Sequence, residues 1–149
     1  MQNLFDTAVN REIIRRLEAL TPLSTAGWGR MNAAEMLVHL ELSMKANFGE
    51  IKLNKSLFGI FFKGISRRIL LGEKPFPRRL PAPKRLLGAA APDFAAEKIK
   101  VVSMIRSYAE QGASVLGQYP HNILGKISPE ESAVIAYKHI DHHLRQFGL

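Results

Sequence analysis

The sequence contains no cysteine. This absence excludes disulfides, thiolate zinc sites, iron–sulfur clusters and a cysteine nucleophile within the chain. Any metal site must therefore use nitrogen and oxygen ligands. The first residues lack the apolar core of a signal peptide, and no run approaches the ~20 apolar residues that a membrane span needs. We therefore expect a cytoplasmic protein.

The sequence also lacks internal repeats and any sustained alternation of apolar and polar residues, which is the pattern typical of strands. Apolar residues recur instead at helical spacing, in four segments that each begin at a capping residue. These segments run from Asp6 to Leu20, from Asn32 to Phe48, from Asp93 to before Gly117, and from Ser128 almost to Leu149. The pattern predicts an all-α fold, a four-helix bundle, as one domain over residues 1–149.

The pattern also predicts details of the third and fourth helices. In the third helix, Ile99 is counted among the apolar residues, and Gly112 should weaken the helix without ending it. The fourth helix has one predicted solvent sector and one predicted core sector. The solvent sector holds Glu131, Lys138, Asp141 and Arg145, and the core sector holds Ala136, Ile140, Leu144 and Phe147.

The charge of the chain is concentrated in one segment. Residues 51–88 carry ten basic side chains and one acidic side chain, whereas the rest of the chain is close to neutral. The segment forms a long basic insertion between the second and third predicted helices, with a short helix expected within Leu57–Leu71 and five prolines between residues 74 and 92.

Three of the five histidines lie in the fourth predicted helix. His139 and His143 are four residues apart, so their rings lie one turn apart on one face, within reach of a single divalent ion. His142 lies nearer the charged sector. A third ligand is predicted on the second helix at His39, and Glu35, one turn earlier, is either a capping residue or a further ligand.

The remaining histidine, His121, falls in a proline turn and is expected to be exposed. A single helical histidine is most often a satisfied polar residue. Three converging imidazoles must instead bind a metal or reach water in a cleft, unless some of them point outward.

Three stretches of this sequence resemble the DinB-like superfamily, in an uncharacterised branch of it. They are WGRMNAAEMLVH, KPFPRRLPAPKRL and LGKISPEESAVIAYKHIDHHLRQF, and the resemblance extends from about Leu20 to the C-terminus. It implies a four-helix bundle whose metal ligands are His39, His139 and His143, followed by Gln146. The arginine that usually follows the last histidine directly is shifted by one place here, to Arg145.

The resemblance also implies a range of activities. Characterised members of the superfamily include thiol-dependent transferases and isomerases that use bacillithiol, mycothiol or glutathione, with nickel, zinc or iron sites. Extension of such an activity to this branch is analogy, because one fold supports many reactions.

The chemistry of three neutral imidazoles is that of an open catalytic site, because a bound divalent ion would keep its full charge and a free position. Water or a thiol cosubstrate could take that position, which predicts a hydrolase or a thiol-dependent transferase. Glu35 is the candidate proton acceptor, with Gln146 and His142 in supporting positions around the ligands. Imidazole suits nickel, zinc and iron alike.

The alternative hypothesis is a non-catalytic bundle that binds an anionic partner, a lipid surface or nucleic acid, through the basic insert 51–88. The insert is otherwise expected to be a solvated loop lying over the bundle, with an anion site that holds an acidic cosubstrate near the metal as a further possibility. We expect a small-molecule substrate in preference to either partner, and the exposed apolar residues of the insert favour a homodimer. Trp28 could line the mouth of a pocket, but it is expected instead to plug the core at the end of the bundle.

Overall fold

The computed structural model of the chain describes residues 1–57, 61–78, 80, 84–87 and 93–149. These residues form no strand, and they contain five α-helices joined by turns. The helices are α1 (Thr7–Glu18), α2 (Ala33–Asn47), α3 (Lys63–Leu71), α4 (Phe94–Gln111) and α5 (Pro129–Gln146), with short 3-10 helices at Lys84–Leu86 and Gly112–Val115. The all-α prediction is therefore confirmed for the described part of the chain.

Each of the four predicted helices begins at its predicted cap. The side chains of Asp6, Asn32, Asp93 and Ser128 accept hydrogen bonds from the first free N–H groups of α1, α2, α4 and α5. At Asn32 and Ser128 a glutamate three residues later returns the bond, which completes a capping box. The short helix expected in the insert is α3, whereas residues 58–60, 79, 81–83 and 88–92 lie outside the described residues.

The main core lies between α1, α2, α4 and α5. Each of these helices contributes fully buried apolar side chains, and α4 packs against both α1 and α2. Representative core residues are Ile13, Leu17, Met36, Leu40, Val101, Ile105, Ile140 and Leu144. The predicted core sector of α5 is confirmed at Ala136, Ile140, Leu144 and Phe147. In the described ranges no helix is long and apolar enough to cross a membrane.

The position of α3 corrects one prediction about α5. Lys138, predicted to face solvent, is only 8% exposed, because α3 packs across this face of α5. Its ammonium donates hydrogen bonds to the carbonyls of Ile69 (2.8 Å) and Gly72 (2.6 Å), where the helix dipole favours a positive charge. A second apolar cluster, which includes Leu70 and Ile135, joins the two helices.

Two predictions about α4 were also wrong. Gly112 has a φ of +57° and a ψ of −138°, a non-helical conformation that residues other than glycine rarely adopt, so α4 ends at Gln111. Ile99 is 71% exposed. The buried stripe follows Val101, Ile105 and Tyr108, and at 100° per residue a side chain two positions before Val101 points to the opposite face.

A buried asparagine joins α1 to α4. Asn10 is 2% exposed, and its amide donates to the carbonyls of Leu4 (3.0 Å) and Ile105 (2.7 Å). We expect Asn10→Ala to lower the free energy of unfolding by about 2–3 kcal/mol in urea titrations, because it removes two buried hydrogen bonds that join separate segments. The exposed Asn54→Ala is the matched control and should change stability by less than about 0.5 kcal/mol. Equal effects of the two substitutions would contradict this role for Asn10.

Candidate metal centre

The structure brings His39, His139 and His143 together. His39 lies on α2 beside the core residues Met36 and Leu40, while His139 and His143 occupy successive turns of α5. The Nε2 atom of His139 is 3.0 Å from Nε2 of His39 and 3.1 Å from Nε2 of His143. One nitrogen from each of the three rings lies within 4.8 Å of the others.

The three rings form a nearly equilateral triangle. Their centroids are 4.8 to 4.9 Å apart, and each pair meets edge to face at 71° to 87°. Two nitrogens on one ion with bonds of about 2.1 Å are roughly 3.0–3.4 Å apart when the angle between the bonds is 90° to 109°. The two measured Nε2 separations agree with the short end of that range.

Hydrogen bonds on the far side of two rings fix their tautomers. The Nδ1 of His39 lies 2.8 Å from the carbonyl oxygen of Leu86, and the Nδ1 of His143 lies 2.8 Å from Oε1 of Gln146. Both oxygens are acceptors, so both Nδ1 atoms carry the hydrogen and both Nε2 atoms present lone pairs. This arrangement is typical of histidines that bind a metal.

The inward-facing nitrogens cannot satisfy one another. A neutral His139 carries one ring hydrogen, which at Nε2 can be donated to the lone pair of His39 or to that of His143. At least one inward lone pair then has no hydrogen to accept within the triangle. A divalent cation would use all three lone pairs, so the donor set fits a metal ion.

The surroundings keep these rings uncharged. Burial lowers the pKa of His39, although the bond to Leu86 acts in the opposite direction. Burial and the neighbouring histidines hold the pKa of His139 well below its usual range and lower the pKa of His143 to about 3. Neutral imidazoles are the form that binds metal.

Gln146 connects the cluster to the loop before α2. Its Nε2 donates to the carbonyl of Trp28 at 2.5 Å, which assigns Oε1 to His143. The backbone of this loop approaches closely, since Gly27 N–H donates to the Gln146 carbonyl at 2.7 Å. At Gly29, whose φ is +83°, an added Cβ would lie 2.5 Å from Nε2 of Gln146. Gln146 thus links a cluster histidine directly to the loop before α2.

Glu35 is not brought to the cluster. Its Oε2 accepts a hydrogen bond from the Asn32 N–H at 2.8 Å, so the carboxylate closes the capping box at the start of α2. The residues that line the adjoining cavity, within the described ranges, do not include it. His142 does line the cavity, and its ring lies 5.1 Å from that of His143.

A cavity of about 960 Å³ adjoins the three histidines, and two predictions about its walls were wrong. His121 is half-buried in the cavity wall, because its Nδ1 accepts from the N–H groups of Ile123 and Leu124 (both 3.2 Å) and holds the ring in the turn. Trp28 lines the cavity beneath Arg78, and its ring meets that of His142 edge to face. The contact between Leu86 and His39 was also missed, since no local pattern predicts which insert carbonyl meets α2.

A matched pair of glycine substitutions tests the loop around Gln146. Gly29→Ala should lower the free energy of unfolding by about 1–2 kcal/mol, because it imposes an unfavourable φ and displaces a hydrogen-bonded amide. Gly64→Ala in α3, where a Cβ meets nothing within 4 Å, should raise stability by about 0.5–1 kcal/mol. Urea titrations measure both changes. A Gly29→Ala protein as stable as wild type would show that the close approach is not required.

The buried histidines also predict a pH dependence. Burial lowers the pKa of His121 from 6.5 to about 4, so the unfolded chain binds a proton that the folded chain rejects. The resulting stability is present above pH 6.5 and is lost as the pH falls from 6.5 to about 4.

His121→Asn keeps an acceptor in the turn and removes this titration. Between pH 7 and pH 5 the metal-free variant should therefore lose less unfolding free energy than metal-free wild type, by about 1–2 kcal/mol. Urea titrations at both pH values measure the difference, and parallel losses would refute the assignment.

Comparison with known proteins identifies a family. Neither the curated proteins nor the solved structures include a match to this chain. Residues 4–148 match the family described as "Protein of unknown function (DUF1569)". That match spans the capped helices, the insert and all three clustered histidines, and so the chain belongs to the DUF1569 family.

Proposed function

We propose that this protein is a metal-dependent enzyme that holds one divalent transition-metal ion on His39, His139 and His143. The observation that carries the proposal is the convergence of three Nε2 atoms, two of them with tautomers fixed by Leu86 and Gln146, beside a cavity large enough for a small-molecule substrate. A closed structural site would not need such a cavity.

The fold supports a place in the DinB-like superfamily. The four helices α1, α2, α4 and α5 share one core, as in a four-helix bundle, and α3 belongs to the insertion between the second and third of them. The order of the ligands agrees with the resemblance: one histidine from the second core helix, a pair from the last one, and then Gln146.

The chemistry that a bound ion would supply is Lewis acidity, which lowers the pKa of a coordinated water or thiol and so provides a nucleophile at neutral pH. Nickel, zinc and iron all suit a three-imidazole site. Because the chain has no cysteine, a thiol nucleophile must come from a low-molecular-weight cosubstrate. The proposed reaction is thus thiol transfer to an electrophile or hydrolysis of a small substrate.

The residues around the ligands have separate tasks. Leu86 and Gln146 hold the two rings in orientation and fix which nitrogen is free. His142 replaces Glu35 as the proposed proton acceptor, because it lines the cavity next to His143 while the Glu35 carboxylate caps α2. Burial lowers the pKa of His142, and a hydrogen bond to the backbone of Phe76 partly offsets this effect.

The alternative function, binding of a lipid surface or nucleic acid through the insert, is supported by the exposed Phe61 and Ile65 of the basic segment. However, two insert cations already have polar partners within the fold. Arg67 pairs with Glu131, and Arg85 donates to the carbonyl of Lys52. We therefore favour the enzyme.

Elemental analysis of protein purified without chelators tests the proposal. Wild type should hold about one equivalent of nickel, zinc or iron, and His39→Ala, His139→Ala and His143→Ala should each lose it. Gln146→Ala should weaken metal affinity by about 10- to 100-fold, as measured by competition with a chelator.

His142→Ala is the matched control, because it removes an imidazole next to the cluster and should leave the metal content unchanged. Wild-type protein that binds no divalent metal would refute the proposal. Salt-sensitive binding of that protein to phosphatidylserine vesicles or nucleic acid would then support the alternative.

A further inference from the structure

We propose that the cavity beside the histidines binds an amphipathic organic anion: an apolar body with one carboxylate, whose acidic end lies at Arg78 and whose other end reaches the histidine cluster. The inference rests on the proposed function only in taking the cluster as the reactive end of the cavity. It specifies the class of substrate, which the ligand set alone does not.

The inner wall of the cavity is predominantly apolar. Side chains from α3, the rest of the insert, the turn before α5 and α5 itself line it, including Leu70, Phe76, Leu86, Ile127 and Ile135. Leu70, Leu86 and Ile135 are buried, so this wall is built into the fold. Binding of a hydrocarbon chain or an aromatic ring against such a surface is favourable, because it removes apolar surface from water.

The charged side chains of the lining are of one sign. Arg30, Arg78 and Lys126 line the cavity and are exposed, which places them where it opens to solvent. The described residues of the lining include no carboxylate that could neutralise them. A mouth lined by cations in this way attracts an anion and orients it.

Arg78 is the best-positioned of the three cations. Its guanidinium lies 4.6 Å from the centre of the Trp28 ring, and this stacking holds a side chain that would otherwise be mobile. Trp28 in turn contacts His142 at 5.8 Å between ring centres, and His142 contacts His143 at 5.1 Å. A continuous row of rings therefore connects the proposed carboxylate position with the histidine cluster.

This geometry fixes the orientation of the ligand. The acidic end remains partly hydrated beside the cations, and the apolar body replaces water along the inner wall. The end remote from the carboxylate then lies near the three Nε2 atoms, where the proposed reaction would take place. Neutral molecules of the same size would pack against the wall without a preferred orientation, and cationic ones would be repelled by the basic side chains at the mouth.

Calorimetric titrations with three eight-carbon probes test the proposal on metal-free protein at low salt: octanoate, octanol and octylammonium. Octanoate should bind at least about fivefold more tightly than octanol, and octylammonium should bind more weakly than octanol. Arg78→Leu should bring the affinity for octanoate down to about that for octanol without changing the affinity for octanol. Arg78→Lys should keep part of the preference.

Arg15→Leu is the matched control, since Arg15 is an exposed arginine of α1 paired with Glu12 and lies outside the cavity lining. It should keep the full preference for octanoate. Equal binding of octanoate and octanol to wild type would overturn the proposal, as would a preference that survives the double substitution Arg30→Leu, Arg78→Leu. Because these titrations use metal-free protein, their outcome is independent of whether His39, His139 and His143 bind an ion.

Discussion

Two hydrogen bonds on the outer edges of two imidazole rings determine what the candidate site can do. The Leu86 carbonyl and the Gln146 amide oxygen each take the Nδ1 hydrogen of a histidine, and so each turns an Nε2 lone pair inward. If either bond were lost, the ring could rotate or change its tautomer, and the triangle of nitrogens would no longer face a common point. The packing of α2 against α5 brings the rings together, but these bonds give them the orientation that metal binding would require.

The two acceptors in these bonds are positioned in different ways, one by local helix geometry and one by a long-range contact. Gln146 lies on the same helix as His143, three residues later, so helical geometry alone places it. Leu86 lies in the insert, and its 3-10 turn packs on α2. The insert is thus a wall of the cavity and a support for His39, rather than a loop that only lies over the core. Hydrogen bonds from Lys138, the residue before His139, join the end of α3 to α5.

Local patterns predicted much of the fold and the centre of the site. The four caps, the buried stripe of α2 and the positions of the clustered histidines follow from spacing along single helices, because 100° per residue fixes which side chains share a face. The errors about the surroundings of the site concern contacts between distant segments. Burial of Lys138 depends on α3, and the wall positions of His121 and Trp28 depend on how two loops fold over the cavity.

The bond from His39 to the Leu86 carbonyl couples the position of the insert to the orientation of the His39 ring. Segment 84–87 both lines the cavity and sets the ring of His39, so displacement of this wall would open the cavity and release that ring in the same motion. In the proposed enzyme, retention of a bound ion and enclosure of a substrate would thus be thermodynamically linked through a single peptide carbonyl.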